Sequence, residues 1–98
     1  MSRRKSKVDQ NQAEIVAALR AVGASVECLH SVGGGVPDLL VGSRGVTYLM
    51  EVKTATGSLT PDQERWHPAW RGQVAVVRSV AEAYAVIGVE VRCAGGGS

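Results

Sequence analysis

The apolar positions recur first at helical spacing. Ile15, Val16, Leu19 and Val22 share one face. They predict a helix over Asn11–Val22, with Asn11 as its cap and Gly23 in the left-handed position that ends many helices. The period then shortens. Ser25–His30 reads as a strand with mixed faces, and Gly33-Gly34-Gly35 breaks the chain. Val36–Gly42 is a second strand. Its continuous Leu39-Leu40-Val41 run predicts burial on both faces and a central place. Ser43-Arg44-Gly45 turns the chain into a third strand, Val46–Thr54. Thr60-Pro61-Asp62-Gln63 opens a helix, with Thr as cap, Pro at the first position and Gln at the third. That helix is expected to reach about Trp70, kinked or shortened at Pro68. Gln73–Arg78 is a β-branched strand, and Ser79-Val80-Ala81-Glu82 opens a last helix ending near Gly88. Val89–Arg92 is expected to add a short strand. The order predicts an α/β domain with a mixed sheet flanked by helices. Three strands form a meander, and a helical crossover leads to the fourth.

A chain of 98 residues makes one domain. With 45% hydrophobic and 20% charged residues its composition is that of an ordinary globular protein. There is no Phe, so aliphatic residues must fill the core, with Trp66, Trp70, Tyr48 and Tyr84 expected to supply bulk. No apolar run approaches a membrane span, and MSRRKSK lacks the apolar stretch of a signal peptide. A cytosolic setting is expected, with Cys28 and Cys93 reduced. Net charge is only +2. Its distribution matters more: Arg3, Arg4, Lys5 and Lys7 sit in a basic flexible arm, residues 1–10, able to touch phosphate. Sequence alone favours a solvated leader there. Residues 94–98 read as a flexible glycine-rich tail.

Charge is misplaced at the ends of two core strands. Asp38 follows Pro37 at the mouth of an apolar run, and Glu51 and Lys53 flank Val52 at the end of the next. Glu51 and Lys53 share a face, roughly 6.7 Å apart along the strand. Asp38 joins them only in the right register. A three-residue turn at Ser43–Gly45 would pair Asp38 with Met50, on the wrong face. A four-residue loop or a bulge would pair it with Glu51. Two converging carboxylates repel unless something positive lies between them. Lys53 is one candidate; Mg²⁺ or Mn²⁺ is another, held by Asp38, Glu51 and the Val52 backbone carbonyl. Such a set suits metal-dependent phosphodiester hydrolysis. An ion-pair cluster kept for stability is the poorer reading, because partly buried pairs stabilise weakly.

Pro37-Asp38 followed by Glu51-Val52-Lys53 in this frame resembles the PD-(D/E)XK nuclease superfamily. The Gly-rich lead into PDLL, the EVK strand end and the LTPDQ helix start are similar to the stand-alone virus-type replication-repair nuclease (VRR-NUC) domains of phages and bacteria. The resemblance covers about residues 11–83. It implies a restriction-endonuclease-like αβββαβ core within a nuclease domain over 11–93. It implies Asp38 and Glu51 as metal ligands, Lys53 as the catalytic lysine, and roles for Glu14 and Gln63. It further implies a homodimeric DNA endonuclease acting on branched DNA, flaps or four-way junctions, in replication, repair or recombination. No organic cofactor and no membrane partner are expected.

Other readings remain beside it. Glu14 and Gln63 each stand where a capping-box side chain belongs. Trp66 and Trp70, one helical turn apart, read as core or dimer contact rather than a base-stacking platform. His30, His67, Cys28 and Cys93 lack the paired spacing of a zinc site. Arg44 joins the arm as a candidate DNA contact. A catalytically silent DNA-binding module, a nuclease of restriction or recombination type acting on ordinary duplex, and a structural protein with a buried ion cluster are the alternative functions.

Overall fold

A computed structural model describes residues 6–90. In chain order the elements are α1 (Lys7–Ala21), β1 (Ser25–Cys28), β2 (Leu39–Ser43), β3 (Val46–Val52), α2 (Pro61–Ala69), β4 (Ala75–Val77) and α3 (Val80–Val86). The strands form one mixed sheet, ordered β1-β2-β3-β4. The first three pair antiparallel and β4 joins β3 in parallel. The α/β class and the meander-plus-crossover order are those the pattern predicts.

Several boundaries differ. α1 begins at Lys7, because Ser6 is the cap: its hydroxyl accepts from the Asp9 N–H. Lys7 to Gln10 are therefore helical and not part of a leader, while Arg3, Arg4 and Lys5 lie outside the described residues. Asn11 is inside the helix and caps nothing. Its Nδ2 instead donates to the Lys53 and Arg78 carbonyls, at 2.9 and 3.1 Å. α2 carries the full capping box of Thr60 and Gln63. Pro68 falls in its last turn, and the helix continues past it, with Trp70 N–H donating to Trp66 O. Val89 and Glu90 form no strand; Val91 and Arg92, Cys93 and residues 94–98 lie outside the described residues.

The register follows from a turn tighter than either loop considered. Ser43 pairs with Val46, leaving only Arg44 and Gly45 between the strands. Both have positive φ, 51° and 80°, as a hairpin turn matched to strand twist requires. Leu39 then pairs with Met50, and one rung further Asp38 stands opposite Glu51.

One sheet face is the core. Val26, Leu39, Val41, Met50, Val52 and Val77 pack there against Ile15 and Leu19 of α1 and Ala83 of α3, with Ile87 just beyond it. Each fully buried aliphatic side chain contributes about 1.5–3 kcal/mol. The Tyr84 hydroxyl donates to Ala18 O and ties α3 to α1. Tyr48 and Tyr84 pack at the margin, but neither Trp joins the core. α2 buries no residue at all. It rests instead on the glycine loop before β2: a Cβ at Gly35 would fall 2.5 Å from the Asp62 carbonyl oxygen and 3.0 Å from Trp66 Cβ.

Gly35 also has φ of 91°. Gly35→Ala should therefore both strain the backbone, by about 1–3 kcal/mol, and push α2 off the loop. A fall in Tm of at least about 4 °C is expected. Gly33→Ala, with positive φ but nothing within 4 Å, should cost less. Thermal unfolding of the two variants side by side checks this.

Candidate active site

The opposite sheet face carries the misplaced charges. Because Asp38 stands opposite Glu51, and Lys53 is two residues on from Glu51, all three project from one side at one end of the sheet. Backbone chemistry fixes the corner. Lys53 N–H donates to Val77 O at 3.0 Å, so the peptide groups of Glu51 and Lys53 face β4. Those of Val52 face the other way, toward the rung of Pro37. Proline has no N–H to offer there. The Val52 N–H instead donates to Asp38 Oδ2 at 2.9 Å, and the Val52 carbonyl, turned to the same side, has no strand partner to meet.

Glu51 lies at the centre and is 2% exposed. Its Oε2 accepts from Gln63 Nε2 at 3.0 Å and stands 3.6 Å from Lys53 Nζ. Its Oε1 is buried with no hydrogen-bond partner. The Glu51 carboxyl is pushed up from 4.5 to about 8, first by burial, then by the neighbouring Asp38 carboxylate; Lys53 pulls it the other way. One turn beyond Gln63, burial and the Lys53 ammonium lower the pKa of His67, whose Nε2 is buried and unpartnered. Glu51 and Gln63 thus meet across β3 and α2. Gln63 also keeps its cap role, its Oε1 accepting from Thr60 N–H.

The corner opens into a cleft of about 470 Å³, lined by Asp38, Glu51, Val52, Lys53 and Gln63, together with His30 and with Val8, Asp9 and Gln12 from α1. Glu14 does not line it and is exposed along the helix. Arg44 is exposed at the far end of the β2–β3 hairpin, five rungs or about 17 Å from Asp38. Lys7 is exposed at the start of α1, beside the cleft-lining Val8 and Asp9. Asp9 and Gln12 are the residues that pattern reading overlooks, and it weighs His30 only as a zinc ligand. The signal was Ser6, with Asp9 three residues on, which starts the helix early and sets Asp9 and Gln12 one turn apart on one face. Arg78 is a second omission. Its guanidinium donates to the Thr54 and Gly57 carbonyls, at 2.6 and 2.7 Å, and holds the loop after Lys53.

The described residues contain no group of three or more His, Cys, Asp or Glu side chains placed to hold a metal ion. A cation here would need the two carboxylates, a backbone carbonyl and outside ligands. The donor set fits one: two adjacent acids, one buried oxygen with nothing to bind, and an all-oxygen environment of the kind hard divalent cations prefer.

The element order and this corner define a restriction-endonuclease-like α/β domain. Neither a protein-family description nor a curated protein matches the chain. A solved structure described as "VRR_NUC domain" does, with a TM-score of 0.70 and 31% identity over 85% of this chain and 96% of that one. The chain belongs to the VRR-NUC family of nuclease-type domains. Among the described residues no helix is long and apolar enough to cross a membrane.

Because Glu51 holds its proton more tightly in the fold than in the unfolded chain, the metal-free protein should lose stability as pH rises from about 4.5 through about 8. Below that window the contribution is fully present; above it, it is gone. Glu51→Gln keeps volume and removes the charge, so its Tm in EDTA should be nearly flat across the same range and exceed the wild-type value at pH 9. Added Mg²⁺ or Mn²⁺ should raise Tm at pH 8 for wild type and not for Glu51→Gln. Differential scanning fluorimetry reads both.

Proposed function

We propose that this domain is a Mg²⁺- or Mn²⁺-dependent DNA endonuclease. The observation that carries the reading is the buried, unpartnered Glu51 Oε1 beside Asp38 and Lys53. A fold built for stability alone gains little from two acids meeting at a strand end, and an unsatisfied buried oxygen costs about 1–3 kcal/mol. A cation offsets both penalties.

Asp38, Glu51 and the Val52 carbonyl would hold the ion. When bound, it would acidify a water and offset charge on phosphate oxygens. The chain's own groups supply the rest. Asp38 is oriented by the Val52 N–H, and Glu51 by the Gln63 amide. Lys53 brings a cation that is only 13% exposed, placed to neutralise a phosphate oxygen or orient the attacking water. Asn11 and Arg78 hold the peptide segment that carries it. Asp9 and Gln12 extend the polar wall of the cleft. Selectivity for branched DNA, flaps or four-way junctions, and action as a homodimer in replication, repair or recombination, belong to the same proposal. A dimer with two clefts suits paired nicks in a symmetric junction.

A cleavage panel of linear duplex, single strand, flap and four-way junction tests this, each with Mg²⁺, Mn²⁺ and EDTA. Branched substrates should be cut with either metal and none in EDTA. Glu51→Gln and Lys53→Ala should each lose cleavage by at least about 100-fold, the scale of removing one charged catalytic group. Lys53→Ala should still show the metal-dependent rise in Tm. Wild-type cutting rates in Glu51→Gln would reject the assignment, and binding without cleavage by the wild-type protein would favour a silent DNA-binding module.

A further inference from the structure

The helix that supplies Gln63 carries a second feature. Gln63, Trp66, His67 and Trp70 fall at i, i+3, i+4 and i+7, so they form one stripe along α2. Its head is in the cleft, where Gln63 donates to Glu51. Further along, Trp66 and Trp70 stack nearly parallel, with ring centroids 4.9 Å apart and planes 16° from one another. Neither indole belongs to the core, and Trp70 is 44% exposed. Packing elsewhere therefore gives no reason for the pair.

The stack is built to hold its shape. Gly35 lies against Trp66 Cβ, closer than any other residue type allows. Trp70 Nε1 donates to Gln73 O at 3.1 Å, and a Cβ on Gly72 would come within 2.8 Å of that nitrogen. Gln73 is itself fixed to the sheet, its side-chain amide accepting from Leu49 N–H and donating to Leu49 O. An exposed aromatic held at its edge, at its base and through its neighbour to β3 loses little freedom on binding, which is the condition for a preorganised contact.

Two occupants are conceivable, and area separates them. A stable interface between copies covers roughly 800 Å² per partner. Trp70, the C-cap of α2, is the one large hydrophobic exposed at this helix; the residues after it, Arg71, Gly72 and Gln73, are polar or small and exposed. A single indole among such neighbours suits a flat ring better than a protein surface. The stripe's head lies in the cleft, so a strand whose phosphate occupies that cleft continues toward Trp70. Gln63 and Trp70 are about 10 Å apart along the helix, about three base steps of a DNA strand. Arg71, next to Trp70, adds a cation suited to the backbone.

We infer that the Trp66–Trp70 stack receives an unpaired base of the substrate strand, about three nucleotides from the phosphate in the cleft. The inference rests on the proposed nuclease function and adds a specificity-determining surface to it. A fully paired duplex keeps its base faces stacked and offers none to Trp70. A frayed end, a tail or a flap does. Aromatic–base stacking is indifferent to sequence, so the surface selects for unpaired structure and not for a base identity.

The test is equilibrium binding in Ca²⁺, which avoids turnover, using a fluorescein-labelled blunt duplex and the same duplex with a single-stranded thymidine tail. Trp70→Ala should weaken the tailed duplex by about 5- to 150-fold, the range of one lost stack, and leave the blunt duplex unchanged. Trp70→Phe should stay near wild type, and Trp70→Leu should resemble Trp70→Ala. The Phe and Leu variants decide the matter if the Ala variant is unstable. Equal losses on both DNAs, full binding by Trp70→Leu, or a change of oligomeric state in Trp70→Leu by light scattering would overturn the inference; the last would make the face an interface between copies. A wild-type protein that binds no DNA and cuts none would overturn the nuclease reading itself. One that cuts DNA while its Trp70 variants bind the tail normally would overturn the stacking surface alone.

Discussion

The Val52 N–H reaching Asp38 Oδ2 joins the two strands where their backbone ladder stops. Pro37 stands at the opposing position and has no donor of its own, so the strand pair ends there and a carboxylate takes over the role of a carbonyl. That exchange has two effects. It fixes Asp38 against β3 without spending both of its oxygens on the fold. It also leaves the Val52 carbonyl without a strand partner. A residue with an N–H in place of Pro37 would extend the sheet by one rung and close the corner.

The rest of the molecule supports that corner from outside. The core lies on the other sheet face and contributes stability but no chemistry. α1 crosses that face, and its first turns reach beyond the sheet end. From there Asn11 grips the Lys53 and Arg78 carbonyls, each just past the end of β3 or β4. Arg78 grips the loop beyond. α2, with no buried residue, is held by its cap, by the glycine loop and by Gln63 on Glu51. The side chains that meet Glu51 therefore come from elements secured independently, and none depends on the burial of α2.

Element types were largely legible in the sequence, because periods near 3.6 and 2 are imposed by burial against one core. Boundaries were less so. Asn11 and Ser6 are both good caps, and an apolar pattern starting at Ile15 gives no reason to prefer the earlier one; only Val8, at the edge of the cleft, marks the extra turn. Glu14 was singled out by the family resemblance, and a start at Asn11 made it a capping acid as well; with the helix beginning at Lys7, Asp9 and Gln12 line the cleft and Glu14 does not. The Asp38–Glu51 pairing was accessible as a parity argument, but the two-residue turn that achieves it requires Arg44 in a left-handed conformation, which few would assign to arginine. Trp66 and Trp70 were expected to fill space. They do not: aliphatic residues alone close the core face, neither indole joins that cluster, and Trp70 is 44% exposed.

The hairpin also separates the places where this chain can change length from those where it cannot. Asp38 and Glu51 stand equally far from the turn, five rungs along each arm. Residues added between Ser43 and Val46 lengthen the loop and leave every rung in place. A single residue gained or lost within Leu39–Gly42 moves Asp38 to the core face and dissolves the pairing of acids, unless a bulge absorbs it. Insertions are therefore tolerated at the exposed tip, where a two-residue turn leaves nothing to delete, so descendants of this chain are free to grow there while keeping the acids in step.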